Sequence, residues 1–471
     1  MILSLETRAQ TSRRRVFLLV ATGVFLSTMD SSMLNVALPS IMRSFSTTLA
    51  ITQWVVLMYL LTITVSLLIW GYLADCSGQG RIYLFGMLVF TFGSALCYLA
   101  PLLSLLIFFR FVQALGAAMM MASGPAIIKS IFPREHLGRA LGFLGIATSI
   151  GLMSGPVISG FLIRYFSWRA IFLVTVPVSL GACLLGKLFL AGDLPKGKEK
   201  KGAPFDWFGG LGWILLVSAT VIFISHAWEV GTGPKIFLAI LMVGTAWSLW
   251  KIEKHQIVPL FPLFLFKRKY YGIAMAAAAL SFIVLFIVLI IMPFYMDFIL
   301  RIPVDRIGYV MMAVPVTLFI VSPVSGWLYD MIGARFLTTT GFVVSCLAVI
   351  LLAFLNPESK PLEIAWRLAL LGTGQSIFLA PNTASVLARI EKEYTGITSG
   401  MLATSRNIGM LTGAAIAGMA FTAFFFMFSG GLDLKEFSAL QVPAFMQAFQ
   451  STLGIAALLA LFGVVLSVMR E

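Results

Sequence analysis

Asp30 is a lone carboxylate within a helix-length apolar run at 16–38, and Arg110 is a lone guanidinium within another at 103–130. An ionisable side chain at the bilayer centre costs roughly 2.5–3.5 kcal/mol on insertion scales, so it points to a proton relay or an ion site. Counting 1.5 Å per residue, Asp30 lies about eight residues before the end of its run and Arg110 about eight after the start of its own, so on antiparallel helices they share a depth of roughly 12 Å. Burial disfavours the charged carboxyl and a neighbouring guanidinium favours it. Such a pair can hold an acid whose proton affinity changes as helices move. Two plainer readings stay open: a static ion pair that neutralises two buried charges, and an aspartate that bends its helix through local hydrogen bonds.

Other candidates lie in the second half. Arg406 and Asn407 fall about ten residues into a run at 396–427, deep enough to face a central cavity, where an anion or a structural partner would meet the guanidinium. Asp297 follows Pro293, Phe294 and Tyr295 near the end of the run at 270–298, where it can read a cation or rest among headgroups. Met119, Met120, Met121, Met311 and Met312 are flexible thioethers that suit a broad apolar pocket, or equally lipid-facing packing.

These side chains must be positioned by helices in lipid. The chain of 471 residues is 60% hydrophobic and only 11% charged, with mean hydropathy +0.99. An ordinary soluble protein is about 25% charged, so this is an all-α polytopic membrane protein. Spans of about 20 apolar residues are expected near 16–38, 51–74, 82–101, 103–130, 138–165, 169–191, 207–227, 235–252, 270–298, 307–329, 335–355, 362–388, 396–427 and 444–469. Fourteen spans put both termini on one side. Roughly 22 Lys and Arg fall in loops on that side against about 9 on the other, which makes it cytoplasmic. The loops at 193–206 and 251–269 are the strongest basic markers. The net charge of +14 thus reports topology and lipid headgroups rather than nucleic acid.

The apolar run after Arg13, Arg14 and Arg15 is too long for a signal-peptide core, so a retained first span is expected. Cys76, Cys97, Cys183 and Cys346 fall in or beside separate runs with no CxxC pair or histidine cluster, so neither disulfide nor metal is expected. No loop is long enough for a soluble domain.

An internal repeat orders the spans. GYLAD at 71–75, followed by Gly78 and Arg81, recurs 255 residues on as GWLYD at 326–330, followed by Gly333 and Arg335. Gly138, Gly142, Gly151, Gly155 and Gly160 recur 258 residues on as Gly396, Gly400, Gly409, Gly413 and Gly418. Arg110 has a counterpart in Arg367, whereas Leu285 stands where Asp30 would recur, so proton chemistry is expected in the first half. The repeat divides the chain into a six-helix bundle at 1–191, a basic linker at 192–206, two inserted helices at 207–252, a linker at 253–269 and a second six-helix bundle at 270–471. Parallel repeats of this kind carry substrate at the midplane and work by rocking one half against the other.

Several motifs resemble one family. The DSSMLNVALP run from Asp30 through Asn35 to Pro39 is similar to the helix 1 signature of the fourteen-helix drug:proton antiporters of the major facilitator superfamily, the EmrB/QacA type. Gly71, Asp75, Gly78 and Arg81 resemble the superfamily's loop 2–3 motif, with Cys76, Gln79 and Gly80 at positions usually basic. Arg110, Gln113 and Gly116 resemble its helix 4 motif, with Ala114 for a glycine. Gly151, Gly155, Pro156 and Gly160 resemble the helix 5 antiporter motif, with Ser159 for a glycine. The resemblance implies a major facilitator fold with helices 1–6 and 9–14 as two bundles, helices 7 and 8 inserted, and proton coupling through Asp30 and Arg110. It implies a substrate cavity among Asn35, Gln113, Tyr295, Asp297, Asn382, Arg406 and Asn407. Gating would fall to Gly71, Asp75, Gly78, Arg81, Gly326, Asp330, Gly333, Arg335 and the helix 5 glycines with Pro156. Bare glycines at such spacing also serve close helix packing alone, and the two loops also read as solvated turns.

The expected protein is not an enzyme. It would be a secondary exporter of the bacterial inner membrane, exchanging protons for small amphipathic or lipophilic compounds. Its partners would be protons, a small-molecule substrate and membrane lipid, with no cofactor, nucleic acid or obligate protein partner. No GxxxxGK[ST] loop points to ATP. Three alternatives stay open: an exporter dedicated to one metabolite such as a siderophore or antibiotic, an importer of organic anions suggested by Arg110, Arg367 and Arg406, and a receptor without transport.

Overall fold

The computed structural model describes residues 2–187, 206–226, 232–255, 263–391 and 394–470. The expected linker at 192–206 falls almost wholly outside these residues, as does part of the one at 253–269. Among the described residues every regular element is helical, as an apolar chain with no water for its backbone requires. The first half runs α1 (Ile2–Ser44), α2 (Trp54–Ser77), α3 (Gln79–Leu99), α4 (Leu103–Ile131), α5 (Arg134–Tyr165) and α6 (Thr175–Leu185). Next come α7 (Trp207–Ser225) and α8 (Thr232–His255). The second half runs α9 (Lys269–Phe294), α10 (Ala313–Ile332), α11 (Ala334–Ala353), α12 (Pro361–Arg389), α13 (Thr395–Phe428) and α14 (Val442–Val468), with a short helix Val304–Met311 leading into α10.

Among the described residues twelve helices are long and apolar enough to cross a membrane. Two of the fourteen expected spans are not among them. The one near 169–191 appears as Ala170–Leu185, apolar but shorter than a span. The one near 362–388 is α12, with 29 residues, whose Glu363, Arg367, Gln375 and Asn382 dilute its apolar character. The twelve-span count is what composition and length of the described helices carry.

The repeat read from sequence is a repeat of packing. Helix α1 packs on α5, α2 on α4, α3 on α4 and α3 on α6; likewise α9 packs on α13, α10 on α12, α11 on α12 and α11 on α14. Glycines permit the closest of these approaches. A Cβ on Gly151 would stand 2.7 Å from Phe25 O, and one on Gly155 2.9 Å from Met29 O. In the second half a Cβ on Gly413 would stand 2.6 Å from Ile283 O. Gly78 and Gly333 join α2 to α3 and α10 to α11 with φ of 102° and 79°. A side chain is strained there, so the recurrence of these two glycines has a backbone cause.

The halves meet at the end away from the termini. Gly160 of α5 lies against Val304 and Asp305, Gly308 against Pro156 O, and Gly418 of α13 against the buried Gln53 at the start of α2. Two ion pairs cross the same seam: Arg43 with Asp297 at 2.6 Å and Arg164 with Asp305 at 2.6 Å. Toward the opposite end, Gly145 of α5 and Gly400 of α13 have nothing within 4 Å of an added Cβ.

Candidate functional site

Asp30, on α1, and Arg110, on α4, are 2% and 1% exposed and form an ion pair, Arg110 Nη1 to Asp30 Oδ2 at 2.6 Å. Gln113, one turn along α4, completes the cluster. Its Nε2 donates to Asp30 Oδ1 at 2.9 Å and to Ser94 Oγ at 2.6 Å, while its Oε1 accepts from Arg110 Nη1 at 2.5 Å. Arg110 Nε donates to Val55 O at 3.2 Å, and the guanidinium carbon lies 4.0 Å from the centre of the Tyr59 ring. Removing two charges from water costs several kcal/mol per ion; charge attraction offsets it only when the remaining polar atoms are hydrogen-bonded. Gln113, Ser94 and the Val55 carbonyl supply those bonds, and the Tyr59 face adds a cation–π contact.

Backbone proximity makes this geometry possible. Gly93 of α3 faces Gln113 so closely that an added Cβ would lie 2.5 Å from Gln113 Cα. On its other side α1 is held by α5, where Ser32 Oγ donates to Gly151 O at 3.4 Å and Ser159 Oγ to Met33 O at 2.8 Å. The α5 glycines thus touch residues immediately flanking Asp30, so sliding of α5 along α1 would be felt at the carboxylate.

The remaining candidates do not assemble with this cluster. Tyr295 donates to Asn356 O at 2.6 Å and stacks on Phe449. Asp297 is held by Arg43. Asn382 donates to Ala274 O at 3.3 Å, and its own carbonyl accepts from Arg470. Arg406 donates from Nε to Leu402 O at 3.3 Å on its own helix. Asn35 Oδ1 and Asn407 Nδ2 are buried with no hydrogen-bond partner among the described residues. Met119, Met120 and Met311 are buried. In the loops, Asp75 accepts from Gln79 at 3.1 Å, and Arg81, Asp330 and Arg335 are exposed, with Gly71 and Gly326 in open surroundings.

Ser94, Tyr59 and the Val55 carbonyl belong to the cluster and have no motif of their own. Ser94 and Tyr59 carry only the weak signal of a hydroxyl within an apolar run. The ion pairs across the seam join residues 254 and 141 positions apart, which no local pattern links.

A carboxylate and an arginine paired and buried between two helices of one bundle, in a chain built as two repeated bundles, suit a membrane transporter. The sequence profile of the Major Facilitator Superfamily matches residues 20–414 and again 274–470. The chain belongs to that superfamily: it is a multi-pass integral membrane transporter, not an enzyme. It is 30% identical over 455 residues to the riboflavin transporter RibZ of Clostridioides difficile, covering 96% of each chain. To the multidrug resistance protein Stp of Mycobacterium tuberculosis it is 30% identical over 418 residues, 88% of this chain and 77% of Stp. In fold it is similar to a bacterial homolog of the human lysosomal transporter Spinster solved inward-facing and unoccupied, with a TM-score of 0.71, 15% identity and coverage of 98% and 97%.

Proposed function

We propose that the protein is a proton-coupled exporter of small amphipathic or lipophilic compounds, of the fourteen-helix drug:proton antiporter type. The observation that carries this reading is the buried Asp30, Arg110 and Gln113 cluster on α1 and α4, with α1 held by the α5 glycines. When Asp30 takes a proton, Arg110 loses its counter-charge but keeps Gln113 Oε1 and Val55 O as acceptors. The cluster therefore tolerates both states of the carboxyl, as a carrier of protons must. One proton moving down about 150 mV supplies roughly 3.5 kcal/mol, enough for a gradient of about 300-fold in a neutral solute.

In this reading α6 and α12 also span, both termini face the cytoplasm of a bacterial inner membrane, and the sealed end faces outward, leaving the transporter open inward. Basic loops on the side of the termini support the orientation. Cys76, exposed beside the α2–α3 turn, tests it. A membrane-impermeant thiol reagent should label Cys76 in inside-out vesicles and not in intact cells; the reverse pattern overturns the orientation.

Function is tested in liposomes with an imposed pH gradient, offered cationic dyes, neutral antibiotics, riboflavin and organic anions. Uphill movement of the first two that Asp30→Asn abolishes, with equilibrium binding retained, supports the reading. Undiminished uphill transport by Asp30→Asn sinks it. The likeness to RibZ over nearly the whole of both chains favours one second reading, movement of riboflavin or a similar planar heterocycle; riboflavin as the sole transported compound would establish it.

A further inference from the structure

At the end that carries the termini, the α10–α11 turn, the last turn of α12, the start of α9 and the residue after α14 enclose a cavity of about 170 Å³. Tyr270, Gly333, Arg335, Ser385, Arg389 and Arg470 line it, and no acidic residue does. Arg470 is only 5% exposed. Its Nη2 donates to Ser385 Oγ at 2.5 Å and to Asn382 O at 3.3 Å, but its buried Nη1 has no partner among the described residues. A buried donor left without an acceptor costs about 1–3 kcal/mol, and more when it is charged. A site that tolerates one is built for something that supplies the acceptor.

Three further features give that acceptor a sign and a size. Burial, and then the charge of nearby Arg389, push the Arg470 guanidinium down to about 10, and no carboxylate among the described residues lines the cavity to offset the two arginines. The carboxylate nearest in sequence to Arg389 is Glu391, which is already forked by Arg268 at 2.6 and 3.1 Å. Finally, α11 begins at this cavity, and its N-cap, Gly333, offers no side chain to the first backbone N–H groups. An uncapped helix N-terminus favours an anion, and arginine forks match tetrahedral oxyanions in geometry.

We propose that this cavity binds a phosphate group, Arg470 Nη1 and Arg389 taking its oxygens and the N-terminus of α11 facing it. The same chemistry is offered by an anionic phospholipid headgroup and by free phosphate. Exposed Met331 and Phe336 flank the turn, where acyl chains would run alongside a bound headgroup. The site lies away from the Asp30 cluster and does not depend on the direction of transport.

The test uses the full chain purified into bilayer discs of phosphatidylcholine doped with phosphatidylglycerol, with native mass spectrometry of the lipids retained. Wild type should keep phosphatidylglycerol over phosphatidylcholine, and Arg389→Gln and Arg470→Gln should each cut that preference roughly tenfold, the size of one charge-assisted hydrogen bond. Arg470→Lys keeps the charge without the fork and should retain part of it. Arg389 is exposed, so its variant answers the question even if Arg470→Gln fails to fold. A second arm titrates inorganic phosphate against detergent-solubilised protein by thermal shift. Stabilisation by phosphate that Arg389→Gln removes, without a lipid preference, assigns the site to a free anion. No lipid preference and no phosphate effect, or effects that both glutamine variants leave intact, overturn the proposal.

Discussion

Gln113 donates to Asp30 Oδ1 at 2.9 Å and accepts from Arg110 at 2.5 Å, so one amide touches both members of the buried ion pair. An amide can serve both because it carries a donor and an acceptor on one planar group. Leucine has a similar volume and neither group. Gln113→Leu should therefore leave Arg110 short of an acceptor whenever Asp30 is neutral, and should slow proton-coupled transport roughly tenfold while substrate exchange without a gradient continues. Initial rates of both modes in the same liposomes check this; equal losses in the two modes would reduce Gln113 to a packing role.

Arg43 and Asp297 tie the first half to the second at the end away from the termini. Half of Arg43 is exposed, so the pair is worth about 0.2–1 kcal/mol. Its loss should shift the balance toward opening of that end by up to about fivefold. Spin-label distances across the seam in Arg43→Ala should show a larger open population, and the swap of Arg43→Asp with Asp297→Arg should restore the wild-type distribution. An unchanged distribution in Arg43→Ala would mean that glycine packing alone closes the seam.

Much of this arrangement is legible in the chain. Asp30 and Arg110 stand out because a charge inside an apolar run has few uses, and equal depth on two runs sets them side by side. The paired offsets of 255 and 258 announce the repeat because a side chain is costly at the close crossings of Gly151, Gly155, Gly409 and Gly413 and at the positive-φ turns of Gly78 and Gly333. Gln113 is harder to place. Its motif position puts it with substrate candidates, and only the turn between residues 110 and 113 of α4, closed on by Gly93, brings its amide to Asp30. Arg43, Asp297, Arg164 and Asp305 look like ordinary loop and helix-end charges, because the contacts that join them depend on how two halves dock. The 1–191 and 270–471 division is a reading of repeats.

Gly160 faces the backbone of the other half, and an added Cβ would lie 2.7 Å from Val304 O and 2.8 Å from Asp305 Cα. Backbone atoms cannot swing aside as a side chain can. Gly160→Ala should cost the closed form about 1–3 kcal/mol, visible as easier labelling of cysteines placed in the seam. Gly400→Ala is the control, since nothing lies within 4 Å of its added Cβ, and the alanine should be neutral or slightly stabilising to α13. Matching behaviour of the two variants would remove the seam from the account of gating.

Arg110 gives the most demanding test, because its charge and its shape act separately. Its positive charge lies against the Asp30 carboxylate, 2.6 Å away. Its planar fork lets Nε reach Val55 O while Nη1 serves Asp30 and Gln113. If that charge is coupled to proton transfer, the pH profile of transport in Arg110→Ala should no longer superimpose on that of wild type, and the maximal rate should fall. Arg110→Lys keeps the charge at one point and loses the fork, so its optimum should stay near that of wild type while its rate drops. Arg367→Ala removes the counterpart arginine from the half where Leu285 stands in place of the acid, and should leave the profile unmoved. Rates measured across pH in liposomes for wild type and these three variants separate the cases. Four superimposed profiles would show that Arg110 neutralises Asp30 without tuning it, and the cluster would then be a static ion pair.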